Sequence, residues 1–380
     1  MGIVLSIIDA DLCIREINTQ SQINACNKMK TIRLLPVLVL MTILFSCNNE
    51  LQEAEQQLNQ SRDYEYTLKP VEIPSSTLEW DISYHPGSTT RSGGVNESYE
   101  FAAVNTASVY TGGIYTLESL GTLDFIPLAG NPPAKSIDVA YTFPGGFIDH
   151  IIRPSFVSCF SSFNKAIASP NFSGKQIQEF EYDAREFSDY RETKLAFGAN
   201  VNVASIFKLD ASVGHTRIKA SNGIFARVLQ KNFSVIMDYP LNGNIFLNEN
   251  ELEKNKAKNP VYINSITYGR MAVIAIESDS SYTSLKSALN ASLSLPKVNG
   301  ELNISAKDST VLRNSQIKVY AWGGKANDVV KLVTGFDAFK EYIINGGEFS
   351  REVPGTPILF TANYASTNGV VKTTFTTIDD

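Results

Sequence analysis

Residues 282–312 of this 380-residue chain restrict its fold more than any other stretch, because they fit two secondary structures at once. Most alternate positions from 285 to 295 are apolar, and a similar run follows the turn-forming pair Asn299-Gly300. Two amphipathic runs of about ten residues around a tight turn are typical of a membrane-spanning β-hairpin. The apolar positions expected to face lipid in that hairpin are Leu285, Leu289, Ala291, Leu293, Leu295, Leu302, Ile304 and Ala306.

The first half of this stretch also fits a helix. Leu285, Leu289 and Leu293 are spaced by four, which would place them on one face of an amphipathic helix. The segment can therefore pack as a helix in a soluble form and extend as a hairpin in a membrane. On pattern alone, a helix and a hairpin on a soluble domain is the favoured interpretation.

A second ambivalent segment covers residues 208–231. Alternation of apolar and polar residues runs through 201–213 and returns over 224–238 after the turn Ser221-Asn222-Gly223. This pattern predicts a second hairpin, or else a helix and a loop. Long strands are predicted at 195–207, 232–238, 262–277 and 315–322, so a central sheet spans about 195–322, with 208–231 and 281–314 as its two convertible connections. A helix is predicted over 329–344, and strands over 357–364 and 370–378.

Composition indicates a globular body and argues against several functions. The formal net charge is −6, so no basic surface suggests nucleic acid. The histidines, His85, His150 and His215, lack the spacing of a metal motif, and no nucleophile elbow or phosphate loop is present. The chain is therefore expected to be non-enzymatic, without a cofactor or metal.

The N-terminal region predicts export. From Met29, the basic residues Lys30 and Arg33 precede an apolar run, residues 34–45, that is too short for a normal transmembrane helix. The run closes with Leu-Phe-Ser-Cys at 44–47, which resembles a bacterial lipoprotein signal with Cys47 as the lipidated residue. Residues 1–28 are then an upstream extension assigned in error, 29–46 the signal peptide, 47–65 a lipidated tether and 66–380 the functional body. The expected location is the bacterial outer membrane or cell surface, or release from it.

Several short motifs of the body, in order, resemble the thiol-activated, cholesterol-dependent cytolysins. Residues 109–113 (VYTGG), 136–139 (SIDV) and 143–146 (FPGG) resemble the family's early region. Residues 199–203 resemble its first core strand, 233–238 its second, and 259–270 its third, which ends in Tyr268-Gly269-Arg270. Gly323-Gly324 falls where the family has a glycine pair after its fourth strand. The resemblance covers roughly residues 100–378.

The resemblance implies an α+β fold with a twisted, four- to five-stranded antiparallel central sheet, flanked by helical clusters, and an elongated β-rich segment. It also implies a pore-forming protein that assembles into rings on a lipid membrane and converts two helical clusters per subunit into hairpins of a large barrel. A short element after Gly323 and Gly324 would cover the fourth strand's edge, with these glycines as its hinge.

The family's C-terminal membrane-binding domain, with its tryptophan-rich loop, has no counterpart before Asp380, so cholesterol binding is not implied. The chain therefore resembles shortened cytolysin-like proteins, for which a longer component would supply the missing domain. Two alternatives stay open: a surface-anchored binding protein or adhesin on the same scaffold, and a purely structural outer-membrane lipoprotein.

Overall fold

The computed structural model describes residues 68, 71–74, 81–84, 97–104, 108–122, 125–174, 179–197, 202–209, 216–294, 304–323, 330–345 and 349–378. The strands are β1 (Val71–Pro74), β2 (Asp81–Tyr84), β3 (Glu97–Ser98), β4 (Phe101–Ala102), β5 (Ile114–Thr116), β6 (Ile137–Tyr141), β7 (Phe147–Ile151), β8 (Glu179–Glu186), β9 (Asn222–Met237), β10 (Pro260–Ser278), β11 (Gln316–Trp322), β12 (Val330–Thr334), β13 (Thr356–Tyr364) and β14 (Thr373–Ile378). The helices are α1 (Leu117–Thr122), α2 (Phe156–Ala168), α3 (Lys194–Phe197), α4 (Val203–Ile206), α5 (Asn250–Asn255), α6 (Tyr282–Ser294), α7 (Ala306–Arg313) and α8 (Phe336–Asn345).

Two long antiparallel strands, β9 and β10, form the centre of an eleven-stranded sheet. In one half of this sheet the order is β8-β9-β10-β11-β12, all antiparallel, with β2 on the outer edge of β8. In the other half, β6 and β7 continue from β9, while β13 and β5 pair with β10. The α+β fold with a five-stranded antiparallel arrangement agrees with the expectation from sequence. A separate three-stranded sheet has the order β1-β14-β3.

Strand β10 changes partner near its middle. Its residues Val261–Gly269 pair with β13, and Met271–Glu277 pair with β11. Almost every side chain of the strand is buried, which explains its nearly unbroken apolar run. The prediction of a central strand over 262–277 is therefore confirmed, with the strand slightly longer at both ends.

The two faces of the sheet belong to two apolar clusters. The larger cluster includes Phe225 and Leu229 on one face of β9. The smaller cluster takes the opposite face, including Ala226 and Ile274, and packs it beneath helical side chains. Period-two alternation along β9 thus serves two cores at once.

The predicted first core strand, residues 195–207, is wrong. Described residues in this range belong to helices α3 and α4, and the strand beside β9 is β8, which lies earlier in the chain. The Asn202 side chain caps α4 by accepting a hydrogen bond from the backbone N–H of Ser205 (3.1 Å), so a local helix start overrides the alternation.

Because β8 takes the place of the predicted first strand, the first connection also has different bounds from those predicted. Residues from Asn222 onward already lie in β9, so the part of the chain that joins β8 to β9 is 187–221 rather than 208–231. The second connection, 279–315, agrees with the predicted 281–314, although its second half differs in structure: residues from Ala306 to Arg313 form α7, not a strand.

Two further differences lie near the C-terminus. The predicted helix over 329–344 is a strand, β12, followed by the shorter helix α8. The predicted strands 357–364 and 370–378 meet only in a short hairpin, in which Val370 bridges Asn363 and Val371 N donates to Ala362 O (2.8 Å). Beyond it, β14 pairs with β1 and β3 instead. No helix in the described ranges is both long and apolar enough to cross a membrane.

Candidate functional site: a sheet face covered by two helices

Helix α6 covers the β9–β10 face of the sheet. It begins after Ser281, whose carbonyl accepts the first helical hydrogen bond from Leu285 N (3.0 Å). Leu285, Ala288 and Leu289 are fully buried, and they pack in the smaller cluster with side chains of β9, β10 and β11. The spacing by three and four therefore selects the helix in this state.

Helix α7 packs beside α6 on the same face. The Ser305 side chain accepts a hydrogen bond from Asp308 N (3.0 Å) and caps the first turn, and Leu312 is fully buried at the other end. This cap is the local reason why a sequence with strand-like alternation is helical here.

The sequence predicted eight lipid-facing residues in this segment, and the structure distributes them unevenly. Leu285 and Leu289 are fully buried, Ala291, Leu293 and Ile304 are half-buried, and Ala306 is exposed at the start of α7. Leu295 and Leu302 lie outside the described residues. The most deeply buried members are those that the helical period brings together.

A polar contact fixes α6 to strand β8. The hydroxyl of Tyr182, a fully buried residue of β8, donates to the side-chain oxygen of Asn290 on α6. Because β8 is far from α6 in sequence, the helix is tied both to the strands it connects and to the strand beyond them.

The first connection begins with a buried polar turn, Tyr190–Thr193. Glu192 caps it, accepting from the backbone N–H groups of Ser188 (2.9 Å) and Asp189 (3.1 Å), and Asp189 accepts from Arg191 and from the Thr216 hydroxyl (2.9 Å). Burial raises the pKa of the Glu192 carboxyl, although these hydrogen bonds oppose the rise. Burial would also raise the pKa of Asp189, but the hydrogen bonds, led by those from Arg191, bring it below its usual value.

Sequence analysis overlooked this turn. Asp189 followed three residues later by Glu192 is the spacing of a capping box, which marks a helical start. That signal was available in the sequence, and it would have predicted that the strand now called β8 ends before residue 189.

The outer edge of β11 is covered by β12, with Val319 opposite Val333. Gly323 follows β11 with a backbone φ of +79°, a conformation that favours glycine, so it is suited to the sharp exit from the strand. Gly324 lies outside the described residues, and the hinge role of both glycines stays a proposal. The short covering element expected after this pair is present as β12.

The three residues of the Tyr268-Gly269-Arg270 motif have separate structural roles. The Tyr268 ring stacks on Phe163 (4.8 Å between centroids) and on Phe233 (5.2 Å). Gly269 lies at a bulge where a side chain would collide with the carbonyl oxygen of Gln230.

Arg270 reaches helix α8. Its guanidinium carbon lies 3.6 Å from the ring centroid of Tyr342, and one of its N–H groups donates to the Tyr342 carbonyl oxygen. The motif therefore links two places: the point at which β10 changes partner, and α8, the helix that follows β12.

Comparison with known proteins addresses the origin of this arrangement. Residues 192–377 match the family model of the thiol-activated cytolysins. Listeriolysin O from Listeria monocytogenes is 31% identical over 115 residues, which cover 30% of this chain and 21% of listeriolysin O. Seeligeriolysin from Listeria seeligeri is 31% identical over 121 residues, which cover 31% of this chain and 22% of that protein. This chain is a relative of the thiol-activated cytolysins.

Solved structures support the fold of this cytolysin relative over a longer stretch. Wild-type pneumolysin superposes with a TM-score of 0.60 at 18% identity, covering 80% of this chain and 68% of pneumolysin. Suilysin from Streptococcus suis has a TM-score of 0.60 at 17% identity, covering 84% and 72% of the two chains. The sequence match, by contrast, spans about a fifth of the length of the Listeria relatives.

Proposed function

We propose that this cytolysin relative is a pore-forming protein, in which residues 187–221 and 279–315 convert into two transmembrane β-hairpins. The observation that carries the proposal is the packing of Leu285 and Leu289: they are buried on the sheet as parts of a helix, yet their segment also has the alternation of a membrane strand. Each connection is long enough for two strands of about ten residues.

Both connections leave the same end of the sheet. The first joins β8 to β9 and the second joins β10 to β11, so hairpins formed from them would lengthen four neighbouring antiparallel strands. A hairpin alone in lipid leaves unpaired backbone groups at its edges, so insertion requires neighbouring subunits to close a barrel.

Subunit pairing requires a free strand edge. In the described structure β12 occupies the outer edge of β11, and β2 occupies the outer edge of β8. Such covers prevent premature association of exposed strands. We propose that β12 swings away about Gly323 and Gly324, and that β11 then pairs with a second copy in a ring or with a longer cytolysin-like component.

A disulfide between β11 and β12 tests the proposal. Val319 and Val333 are directly opposite, and facing residues in antiparallel strands have Cα separations of about 4.5–5.5 Å, which a disulfide spans. The V319C/V333C protein, oxidised, should release no dye from phosphatidylcholine–cholesterol vesicles or from vesicles of bacterial lipid, and a reducing agent should restore release. The matched control is S265C/T361C, which joins β10 to β13 away from the moving edge.

The same experiment separates the alternatives. Full release of dye by the oxidised V319C/V333C protein contradicts the proposal. A surface-anchored adhesin would bind its target equally well in oxidised and reduced forms, and a structural lipoprotein would form no rings by electron microscopy in either form or with a longer component added.

We also propose that the protein is exported and anchored through Cys47, a residue outside the described part of the chain. The support is the sequence Leu-Phe-Ser-Cys after a basic and apolar leader. Metabolic labelling with a radioactive fatty acid in a bacterial host should mark the protein. Labelling that persists in the Cys47→Ala variant contradicts this anchor.

A further inference from the structure

The β9–β10 ladder stops at a point where two acidic side chains from the end of β10 bind backbone N–H groups just before β9. The last pairs are Gly223 with Glu277 and Asn222 with Ser278. Continued in the same register, Ser221 would face Asp279, and Lys219 would face Ser281. Gly223 O accepts a hydrogen bond from Phe187 N (3.1 Å), on the β8 side. In an extended continuation of β9, the N–H groups of residues 221 and 219 would therefore also point towards β8, away from β10.

Both of these N–H groups bond to acidic side chains of the neighbouring strand's end. Lys219 N donates to Glu277 Oε2 (2.7 Å), and Ser221 N donates to Asp279 Oδ1 (3.1 Å). The Ser221 hydroxyl donates to the same Asp279 oxygen (3.0 Å). These bonds turn both N–H groups towards the end of β10, so they cannot persist when the chain before β9 becomes an extended strand.

Glu277 also holds the opposite end of the first connection. Its second oxygen, Oε1, accepts a hydrogen bond from the Tyr190 hydroxyl (2.7 Å), and the Glu277 residue is only 4% exposed. Tyr190 begins the buried turn after β8, whereas Lys219 lies just before β9. One buried carboxylate thus ties the start and the end of residues 187–221 to the tip of β10.

The bonds around this carboxylate keep the connection folded back on itself. Tyr190 N donates to Thr216 O (2.8 Å), and Ile218 N donates to Ser188 O (2.9 Å). In a hairpin that continues the β9–β10 register, residues 216 and 218 would instead pair with 284 and 282, which now belong to α6. The two arrangements use the same backbone groups and exclude each other.

We propose that Glu277 and Asp279 form a latch that ends the β9–β10 ladder and holds the first convertible connection in its soluble conformation. The latch opens when Lys219 N and Ser221 N leave their carboxylate acceptors, so that Ile218 N and Thr216 O can pair with residues 282 and 284. The conversion step rests on the proposed pore-forming function, whereas the holding role does not. Glu277 is a positioning residue, acting through Tyr190 and Lys219.

Hydrogen–deuterium exchange of the intact chain in solution tests the holding role. Glu277→Met keeps the length of the side chain but removes both acceptors, whereas Glu277→Gln keeps an acceptor for Lys219 N. A buried hydrogen bond to a charged group contributes enough that its loss should speed local opening roughly ten- to hundred-fold. Exchange in peptides covering 187–197 and 216–222 should therefore be fastest in Glu277→Met and intermediate in Glu277→Gln.

Internal controls separate this role from general destabilisation. Exchange in β13, residues 356–364, should be the same in all three proteins, and Tyr190→Phe should speed exchange mainly in 187–197. Equal exchange in Glu277→Met and the unaltered chain overturns the latch. Equal acceleration in Gln and Met variants, or acceleration that extends to β13, also overturns it, because a packing role would give those results.

A cysteine pair tests the conversion independently. Thr216 and Ser284 meet only if β9 and β10 lengthen in their present register, so T216C/S284C should cross-link after exposure to the vesicles described above, and earlier when Glu277→Met is added. The off-register pair T216C/K286C should cross-link less. If exchange follows the expected order but no cross-link forms with vesicles, the latch stands and the proposed pore-forming conversion fails. If cross-links form at the same rate with and without Glu277→Met, the latch does not control conversion and the inference fails.

Discussion

A side chain on Gly323 would collide with the backbone carbonyl oxygen of Gly269. These glycines come from the end of β11 and the centre of β10, and Gly355, which precedes β13, meets them: a Cβ on Gly355 would lie 2.8 Å from Gly269 N. Three backbones therefore approach closely where β10 changes partner from β13 to β11. The glycine after β11 is required for packing as well as for its exit from the strand.

Gly323→Ala should destabilise the protein by more than the conformational cost alone. A left-handed backbone costs a non-glycine residue about 1–2 kcal/mol, and the collision with Gly269 adds to this cost. Gly335→Ala is the matched control, because Gly335 has a φ of +88° but has no atom within 4 Å of a Cβ placed on it. Urea unfolding should show a larger loss for Gly323→Ala, and equal losses would contradict the close approach.

Arg270→Lys should loosen helix α8. A lysine cannot both lie over the Tyr342 ring and donate to its carbonyl with the planar geometry of a guanidinium. The lost stacking is worth up to about 2 kcal/mol when desolvated, so exchange of α8 amides should accelerate. Arg313→Lys is the control: its guanidinium lies 4.6 Å from the Phe336 ring, but its side chain is 58% exposed, so little change is expected. Equal effects of the two variants would show that Arg270 is not a clamp.

Leu289→Ala should cost about 2–5 kcal/mol of unfolding free energy, because it leaves a cavity between α6 and the sheet. Leu289 is fully buried, whereas Leu247 is 61% exposed, so Leu247→Ala should change stability little. Denaturant titration of both variants measures the difference. A loss below about 1 kcal/mol for Leu289→Ala would be inconsistent with a helix packed tightly on the sheet.

Glu192→Gln should stabilise the protein at pH 7–8. Burial raises the pKa of the Glu192 carboxyl in the folded chain, so its contribution to stability is fully present below the unfolded pKa and is lost as pH rises through the folded pKa. Glutamine keeps an acceptor for Ser188 N and Asp189 N without the buried charge, and Oε2 has no hydrogen-bond donor among the described residues.

The melting temperature measured across pH checks this sign. The advantage of Glu192→Gln over the unaltered chain should shrink as pH falls towards the unfolded pKa of about 4.3. Asp189→Asn should behave oppositely: the pKa of Asp189 is lowered in the folded chain, so its stabilisation is present above the unfolded pKa and is lost as pH falls through the folded pKa. A gap that does not vary with pH for Glu192→Gln would contradict the role of buried charge.

Cys159 should react slowly with iodoacetamide in the folded protein at pH 8. Burial raises the pKa of its thiol, which also hydrogen-bonds to Thr111 (3.5 Å to the carbonyl oxygen), so little reactive thiolate is present. Peptide mass mapping should find this site labelled much faster in urea. Thr111→Val removes the side-chain contact and keeps the burial, so slow labelling should persist in that variant. Equal labelling with and without urea would contradict a half-buried thiol that is protected in the folded protein.

The sequence by itself determined the central strand, the type of fold and the segment that packs on the sheet. The long, mostly apolar run of β10 specified a central strand, because a strand buried on both faces has no regular polar alternation. The ordered motifs identified the fold, including the short cover after β11. The apolar positions of 282–312 marked the segment that meets the sheet, since the same leucines satisfy a helical and a strand period.

Tertiary structure decided what the local pattern left open. Helix α6 exists because Leu285 and Leu289 find a sheet face that a helix buries, and the Ser305 cap makes α7 helical despite its alternation. The strand predicted over 195–207 is wrong because alternation of apolar and polar residues indicates only which side chains are buried. The backbone conformation is set instead by the Asn202 cap and by the buried Asp189–Glu192 turn. The bonds from Tyr190 and Lys219 to Glu277 join residues far apart in the chain, and no sequence period encodes such contacts.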